Sequence, residues 1–240
     1  TSAQRILDVV KAGSVKVKWI LETHAHADHL SAAVFLKEQS GATVAIGANI
    51  ATVQKTFGPI FNAADVVAEN KFFDRLLKDG ETFAIGALSV VVLYTPGHTP
   101  ACVSYRIGDN VFVGDTLFMP DYGSARADFP GGDAHALYRS IHKLLALPPH
   151  TVLWMCHDYG APGRTEFAWQ TSVAEQRAKN IHIHDGIDEE SFVAMRTARD
   201  MALDMPALLL PSVQVNIRAG HMPPAESEGN VYLKLPVNRV

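Results

Sequence analysis

Thr23-His24-Ala25-His26-Ala27-Asp28-His29 gathers three imidazoles and a carboxylate within seven residues. It follows Val15 to Leu21, an apolar run interleaved with Lys16 and Lys18 that reads as a strand delivering its end to a site. In an extended segment residues i and i+2 point the same way, so His24 and His26 can face one point. Asp28 and His29 lie just before a helical pattern, where the chain turns and a second pair can face the same cavity. Packing does not account for three imidazoles and a carboxylate so close together, whereas a metal site does. Imidazole suits zinc, iron, copper and nickel, and the added carboxylate favours zinc or iron.

The same design recurs at other predicted strand ends. Thr82 to Ala84 and Leu88 to Tyr94 predict a hairpin about Gly86-Ala87, and the second strand runs into Thr95-Pro96-Gly97-His98. His98 is the next candidate ligand. Cys102 to Ile107 and Val111 to Val113 predict another hairpin, ending at Gly114-Asp115, where Gly allows close approach and Asp supplies a carboxylate. Thr151 to Cys156 is a strongly apolar strand that ends at His157-Asp158-Tyr159. Strands from separate parts of the chain thus present ligands at one sheet edge, which implies a layered α/β protein with helices on the outer faces.

Helices are expected over Ser2 to Lys11, Leu30 to Gln39, Ala134 to Leu147, Glu166 to Lys179 and Asp188 to Leu203, with Ala42 to Ile46 a short strand. Leu137, Ile141, Leu144 and Leu145 form the apolar face of the third of these helices. Residues 48–78, with Phe57, Phe61, Phe72 and Phe73, read either as a lid of short helices or as a peripheral excursion. Phe118 to Gly132, which holds Tyr122, Arg126 and Asp128, reads as a long functional loop. The bland alternative there is an Arg126–Asp128 pair that only pins the loop. Residues 205–240 hold five prolines and read as a mostly irregular tail on a single domain spanning 1–240.

Composition limits the partners. Apolar content of 48%, charged content of 19% and a net charge of -4 give no footprint for nucleic acid. No run reaches the apolar length of a membrane helix and no signal peptide opens the chain, so a cytoplasmic protein is expected. Cys102 and Cys156 read as reduced buried thiols and not as a disulfide framework.

Together, Thr23 to His29, Thr95 to His98, Gly114-Asp115 and His157 resemble the five-part signature of the metallo-β-lactamase superfamily. The resemblance covers nearly the whole chain and implies an αββα four-layer sandwich with metal at the sheet edge. It also implies β-strands before the first helix, and the expectation is that they are missing from this chain, either because its natural N-terminus is absent or because that layer is reduced. Two branches share all seven ligand positions. In the glyoxalase II branch, the resemblance implies one metal on His24, His26 and His98, a second on Asp28, His29 and His157, and Asp115 bridging. Such a site, with two zinc ions or mixed zinc and iron, hydrolyses a glutathione thioester. In the persulfide dioxygenase branch it implies one Fe(II) per chain on His24, His98 and Asp115.

The segments between the motifs favour the dioxygenase branch. Gly123-Ser124-Ala125-Arg126-Ala127-Asp128-Phe129 is similar to its Gly-Arg-Thr-Asp-Phe segment, and His157-Asp158-Tyr159 to its His-Asp-Tyr. Pro211 to Gly220, with Asn216-Ile217-Arg218, is similar to its Pro-x-Asn-x-Arg-x-Gly ending. The expected activity is oxidation of glutathione persulfide by dioxygen to sulfite and glutathione. His26, Asp28, His29 and His157 would then orient ligands and water, with Asp28, His157 and Tyr159 the expected catalytic side chains. Arg126, Tyr159 and Arg177 are the candidates for holding the glutathione carboxylates and amide. A nuclease of the same superfamily would be expected to show a basic face, and a lactamase is usually exported. The oligomeric state is open, a homodimer included.

Overall fold

The computed structural model describes residues 2–68 and 71–237. The chain forms two compact units, Thr1–Leu77 with Met205–Val240, and Lys78–Asp204. Among the described residues, the strands form one sheet in each.

In the first unit, β1 (Trp19–Leu21), β2 (Thr43–Gly47) and β3 (Arg75–Leu77) make an all-parallel sheet in that order. β2 is the central strand, and its Val44, Ala45 and Ile46 are buried, as expected for a parallel strand covered on both faces. β1 is shorter than the expected run from Val15, because pairing with β2 begins only at Trp19↔Thr43. The helix α1 (Ser2–Ala12) forms where its spacing predicts, yet none of its described residues is buried. The next helix, α2 (Ala33–Ser40), ends at Gly41, which takes a left-handed φ of 69° and donates its N–H to the Lys37 carbonyl.

Residues 48–78 hold the short helices that one reading expected, and they are built into the core and sheet rather than added as a peripheral excursion. They build α3 (Ile50–Ile60), α4 (Ala64–Ala68) and β3, and α3 buries Ile50, Val53, Gln54, Phe57 and Gly58. The Phe57 and Phe61 rings stack with centroids 5.9 Å apart. The tail also departs from its expected irregular character. The helix α8 (Leu209–Asn216) forms within it and buries Leu209, Val213 and Val215. Pro211 does not prevent this, since it lies in the first turn, where a missing N–H costs no intrahelical bond.

In the second unit, β4 (Thr82–Ile85), β5 (Leu88–Tyr94), β6 (Val103–Ile107), β7 (Asn110–Phe112), β8 (Val152–Trp154) and β9 (Gln170–Ser172) form a mixed sheet in that order. Both predicted hairpins are present, and β7 and β8 run parallel. The connection between them is α5 (Ala134–Leu145), whose Asp133 side chain accepts from the N–H groups of His135 and Ala136. Its predicted apolar face packs with Val111, Val113, Leu153, Val173, Ile183 and Phe192 into a buried core.

The helix expected over 166–179 is a correction. Gln170–Ser172 pairs with β8 as β9, and the helix α6 (Val173–Lys179) begins only after Ser172, whose hydroxyl accepts from Glu175 N–H. The last helix of this unit, α7 (Glu189–Met201), is capped by Asp188. β5 is antiparallel to β6 and β6 to β7, while β7 and β8 are parallel. β5, β7 and β8 therefore all run in one direction and end on the same edge of the sheet, where ligand sites of α/β sheets lie.

Candidate metal centre

Each unit carries one set of ligand-type side chains. In the first, β1 ends at Leu21 and the chain enters Glu22 to His29 without regular structure. His24 and His26 are buried, with ring centroids 4.0 Å apart, and His26 and His29 follow at 4.3 Å. Asp28 Oδ1 lies 3.9 Å from both His26 Nδ1 and His29 Nε2. Glu22, which sequence reasoning passed over, places Oε2 3.6 Å from His26 Nε2 and accepts from the Ser31 hydroxyl. Burial alone would raise the Glu22 carboxyl, but hydrogen bonding and charge from His26, with help from Ser31 and His29, hold it below the usual range.

This loop is fastened from α8. Asn216 Nδ2 donates to the carbonyls of His26 at 2.8 Å and His29 at 2.7 Å, and its Oδ1 accepts from Ser31 N–H at 2.8 Å. Arg218, also buried, forks onto Asp65 at 2.7 Å through both Nε and Nη2. Hydrogen bonds from Arg218 hold the Asp65 carboxyl low. Gly220 has φ 90°, and a Cβ there would meet the Ser31 carbonyl at 2.9 Å. Asn216, Arg218 and Gly220 thus tie the C-terminal segment to the histidine loop and to α4.

In the second unit, the shared edge of β5, β7 and β8 delivers His98, Asp115 and His157. Gly97 brings its strand end against α5, since a Cβ there would lie 2.3 Å from Leu137 Cα and φ is 141°. His98 Nδ1 lies 2.9 Å from the Arg126 carbonyl. A carbonyl only accepts, so Nδ1 carries the proton and the lone pair of the neutral ring sits on Nε2. That Nε2 is 3.9 Å from Asp115 Oδ2, while His157 Nε2 is 3.6 Å from Asp115 Oδ1. One buried carboxylate therefore turns an oxygen toward each imidazole.

These separations fit a metal. At 3.6–3.9 Å the atoms are too far apart for hydrogen bonds. Two ligands each about 2.1 Å from a tetrahedral ion sit about 3.4 Å apart. A neutral-ring lone pair facing a carboxylate oxygen is also an arrangement that a cation between them stabilises. Within each unit the donor set is imidazole plus carboxylate, which suits zinc or iron.

The other expected residues fall differently. Arg126 spends its guanidinium on both oxygens of Asp128 at 2.6 Å and on the Asp204 carbonyl at 2.9 Å. Arg177 pairs with Asp185 at an exposed position. Tyr159 is exposed, and its ring lies 4.9 Å from Tyr122, 5.5 Å from Phe118 and 5.4 Å from His157, forming an aromatic wall beside that imidazole. Asp158 is held well below the usual carboxylate range by hydrogen bonds from Arg164, and it also accepts from the N–H groups of Gly160 and Ala168. Arg164 in turn forks onto Asp121, and this network, absent from the sequence reading, fixes the loop that carries His157. Cys102 is buried, with its thiol pushed up to about 12 by burial, whereas Cys156 is exposed, against expectation.

No described helix is long and apolar enough to cross a membrane. Comparison with known proteins gives the family. Residues 1–157, which contain all seven ligand candidates, match the family model described as metallo-beta-lactamase superfamily. A probable metallo-hydrolase of Burkholderia pseudomallei is 53% identical over 250 residues, covering 100% of this chain and 85% of that protein. Glyoxylase B2 of Dictyostelium discoideum is 49% identical over 239 residues, covering 98% and 82%. The crystal structure of ETHE1 from Myxococcus xanthus superposes with a TM-score of 0.74 at 31% identity, covering 91% of this chain and 84% of that one; the mitochondrial ETHE1 of Bos taurus, named a persulfide dioxygenase, is 27% identical over 93% of this chain and 77% of its own length. The chain is thus a member of the metallo-β-lactamase superfamily, with its mixed α/β fold and its metal-dependent enzymes.

Proposed function

We propose that the protein is an iron-dependent persulfide dioxygenase, acting in the cytoplasm with residues 1–240 as one catalytic domain. The observation that carries the reading is the fastening of the histidine loop by Asn216, Arg218 and Gly220. These are the residues of the ending that resembles the dioxygenase branch; Asn216 ties it to the His26 and His29 backbone, Gly220 lies against the Ser31 carbonyl, and Arg218 pins it to Asp65. The likeness to ETHE1, which runs over 91% of the chain, supports the same choice.

His24, His98 and Asp115 would hold one Fe(II). Bound there, iron supplies the electron donation to dioxygen that zinc, having no redox couple, does not. His98 keeps its orientation through Arg126 O. Glutathione persulfide lies with its outer sulfur toward the ligand set and its thiol body against Phe118, Tyr122 and Tyr159. The outer sulfur is oxidised, the S–S bond breaks, and persulfide, dioxygen and water give glutathione, sulfite and protons. Asp28 and His157 accept those protons, and Tyr159 orients the substrate. Since Arg126 and Arg177 are paired with Asp128 and Asp185, either would bind a glutathione carboxylate only by sharing or exchanging its partner.

A second reading has its own observation. Asp115 turns one oxygen to His98 and the other to His157, which suits a carboxylate bridging two metals. With the names metallo-hydrolase and glyoxylase among the relatives, that favours a dinuclear thioester hydrolase. The deciding experiment is anaerobic purification followed by metal analysis and an oxygen electrode. One iron per chain, with dioxygen consumed and sulfite formed from glutathione persulfide, is expected. Two metals per chain, hydrolysis of S-lactoylglutathione and no dioxygen uptake would install the hydrolase.

A further inference from the structure

The buried ion pair of α7 carries an inference beyond the ligands themselves. Arg196 and Asp200 are 2% and 6% exposed and lie one helical turn apart. Asp200 Oδ1 accepts from Arg196 Nε at 2.9 Å and Nη2 at 2.7 Å. The remaining bonds of the pair leave the helix. Asp200 Oδ2 accepts from Ala127 N–H at 2.9 Å, and Arg196 Nη1 donates to the Ser124 carbonyl at 3.2 Å. The two anchored residues straddle Arg126, whose carbonyl lies 2.9 Å from His98 Nδ1.

We propose that Arg196 and Asp200 are positioning residues for His98, fixing through Ser124 and Ala127 the carbonyl that sets the tautomer and ring direction of this ligand. A buried ion pair is seldom retained for stability, because desolvating both charges costs about as much as their attraction returns. What an apolar pair of the same volume would not supply is directional bonding. Here that bonding is aimed at the backbone on either side of the His98 acceptor. Partners of metal-ligating histidines commonly change metal affinity by about 10–100-fold. The effect of a group acting one step further out should fall at the low end of that range. The proposal rests on His98 being a metal ligand.

Asp200→Asn tests it, because the amide keeps one acceptor oxygen where the carboxylate has two, so either Ala127 N–H or Arg196 is left facing an NH2. Three measurements separate the outcomes: the His98 Nδ1–H signal in metal-free protein by 15N NMR, Co2+ affinity by titration, and the urea midpoint. The expected result is a shifted or fast-exchanging His98 signal with Co2+ bound about tenfold more weakly. Arg196→Lys keeps the charge but loses the Nη1 bond to Ser124, and should show the same changes more weakly; it serves in place of Asp200→Asn if that variant does not fold. A lowered urea midpoint with an unmoved His98 signal and unchanged Co2+ affinity would overturn the proposal and leave the pair as an anchor of α7. The His98 signal needs no metal, so failure of the wild type to bind Co2+ would sink the metal reading without touching this result.

Discussion

Replacing Asn216 should weaken the fold and the metal site together. Its side chain makes three hydrogen bonds of 2.7–2.8 Å, to the carbonyls of His26 and His29 and from Ser31 N–H. A hydrogen bond contributes about 1 kcal/mol net, and a buried group left without its partner costs about 1–3 kcal/mol. Asn216→Ala should therefore cost roughly 3–5 kcal/mol, a large share of the roughly 5–15 kcal/mol that holds a domain folded. Asn216→Asp is the sharper variant. Its volume is unchanged, yet it replaces the donating NH2 with a carboxylate oxygen facing two carbonyls. It should cost at least as much as the alanine, which a pure packing role would not produce. The assay is urea unfolding of metal-free protein, followed by metal titration of whatever fraction folds. If both variants unfold within about 1 kcal/mol of wild type, or if Asp is tolerated much better than Ala, the stapling argument is wrong.

The ligand sets give a second test: His24→Ala, His98→Ala and Asp115→Ala should each lose bound metal, while His26→Ala should keep part of it. Equal loss in all four, measured by metal content per chain, would point to a dinuclear centre. A third concerns His182, buried beneath Gly123 and accepting through Nδ1 from Ser124 N–H at 2.9 Å. Burial first, and then the charges of Arg196 and Arg199, push it down from 6.5 to about 4. Between those values the unfolded chain binds the proton more readily than the folded one. Stability from this group is thus full above the unfolded value and is lost as pH falls toward about 4. His182→Gln, which still offers an acceptor to Ser124, should flatten the acid limb of the urea midpoint from pH 7 downward; an unchanged slope would show that other groups govern it.

Four strand ends that carry His or Asp were legible in the sequence because they rest on short-range facts. Imidazole and carboxylate spacing, turn residues at Gly86 and Gly108, and the 3.6-residue period of α5 are all properties of neighbouring residues. Such signals place His24, His98, Asp115 and His157 at strand ends with no knowledge of what packs where. Tertiary structure decided the rest. Gln170–Ser172 has a sequence compatible with the helix that follows it, and only pairing with Leu153 makes it a strand. Residues 48–78 read as a lid or an excursion because their aromatics lack a clean period, yet Phe57 and Phe61 stack on each other and are buried. Asn216 reaches His26 across 190 positions, and Arg164 holds the His157 loop through acids on both sides of it. Periodicity carries no information about such contacts. Loop closure over long separations costs entropy that only the assembled packing and hydrogen bonding offset, so the bonds that aim the ligands exist only in the folded chain.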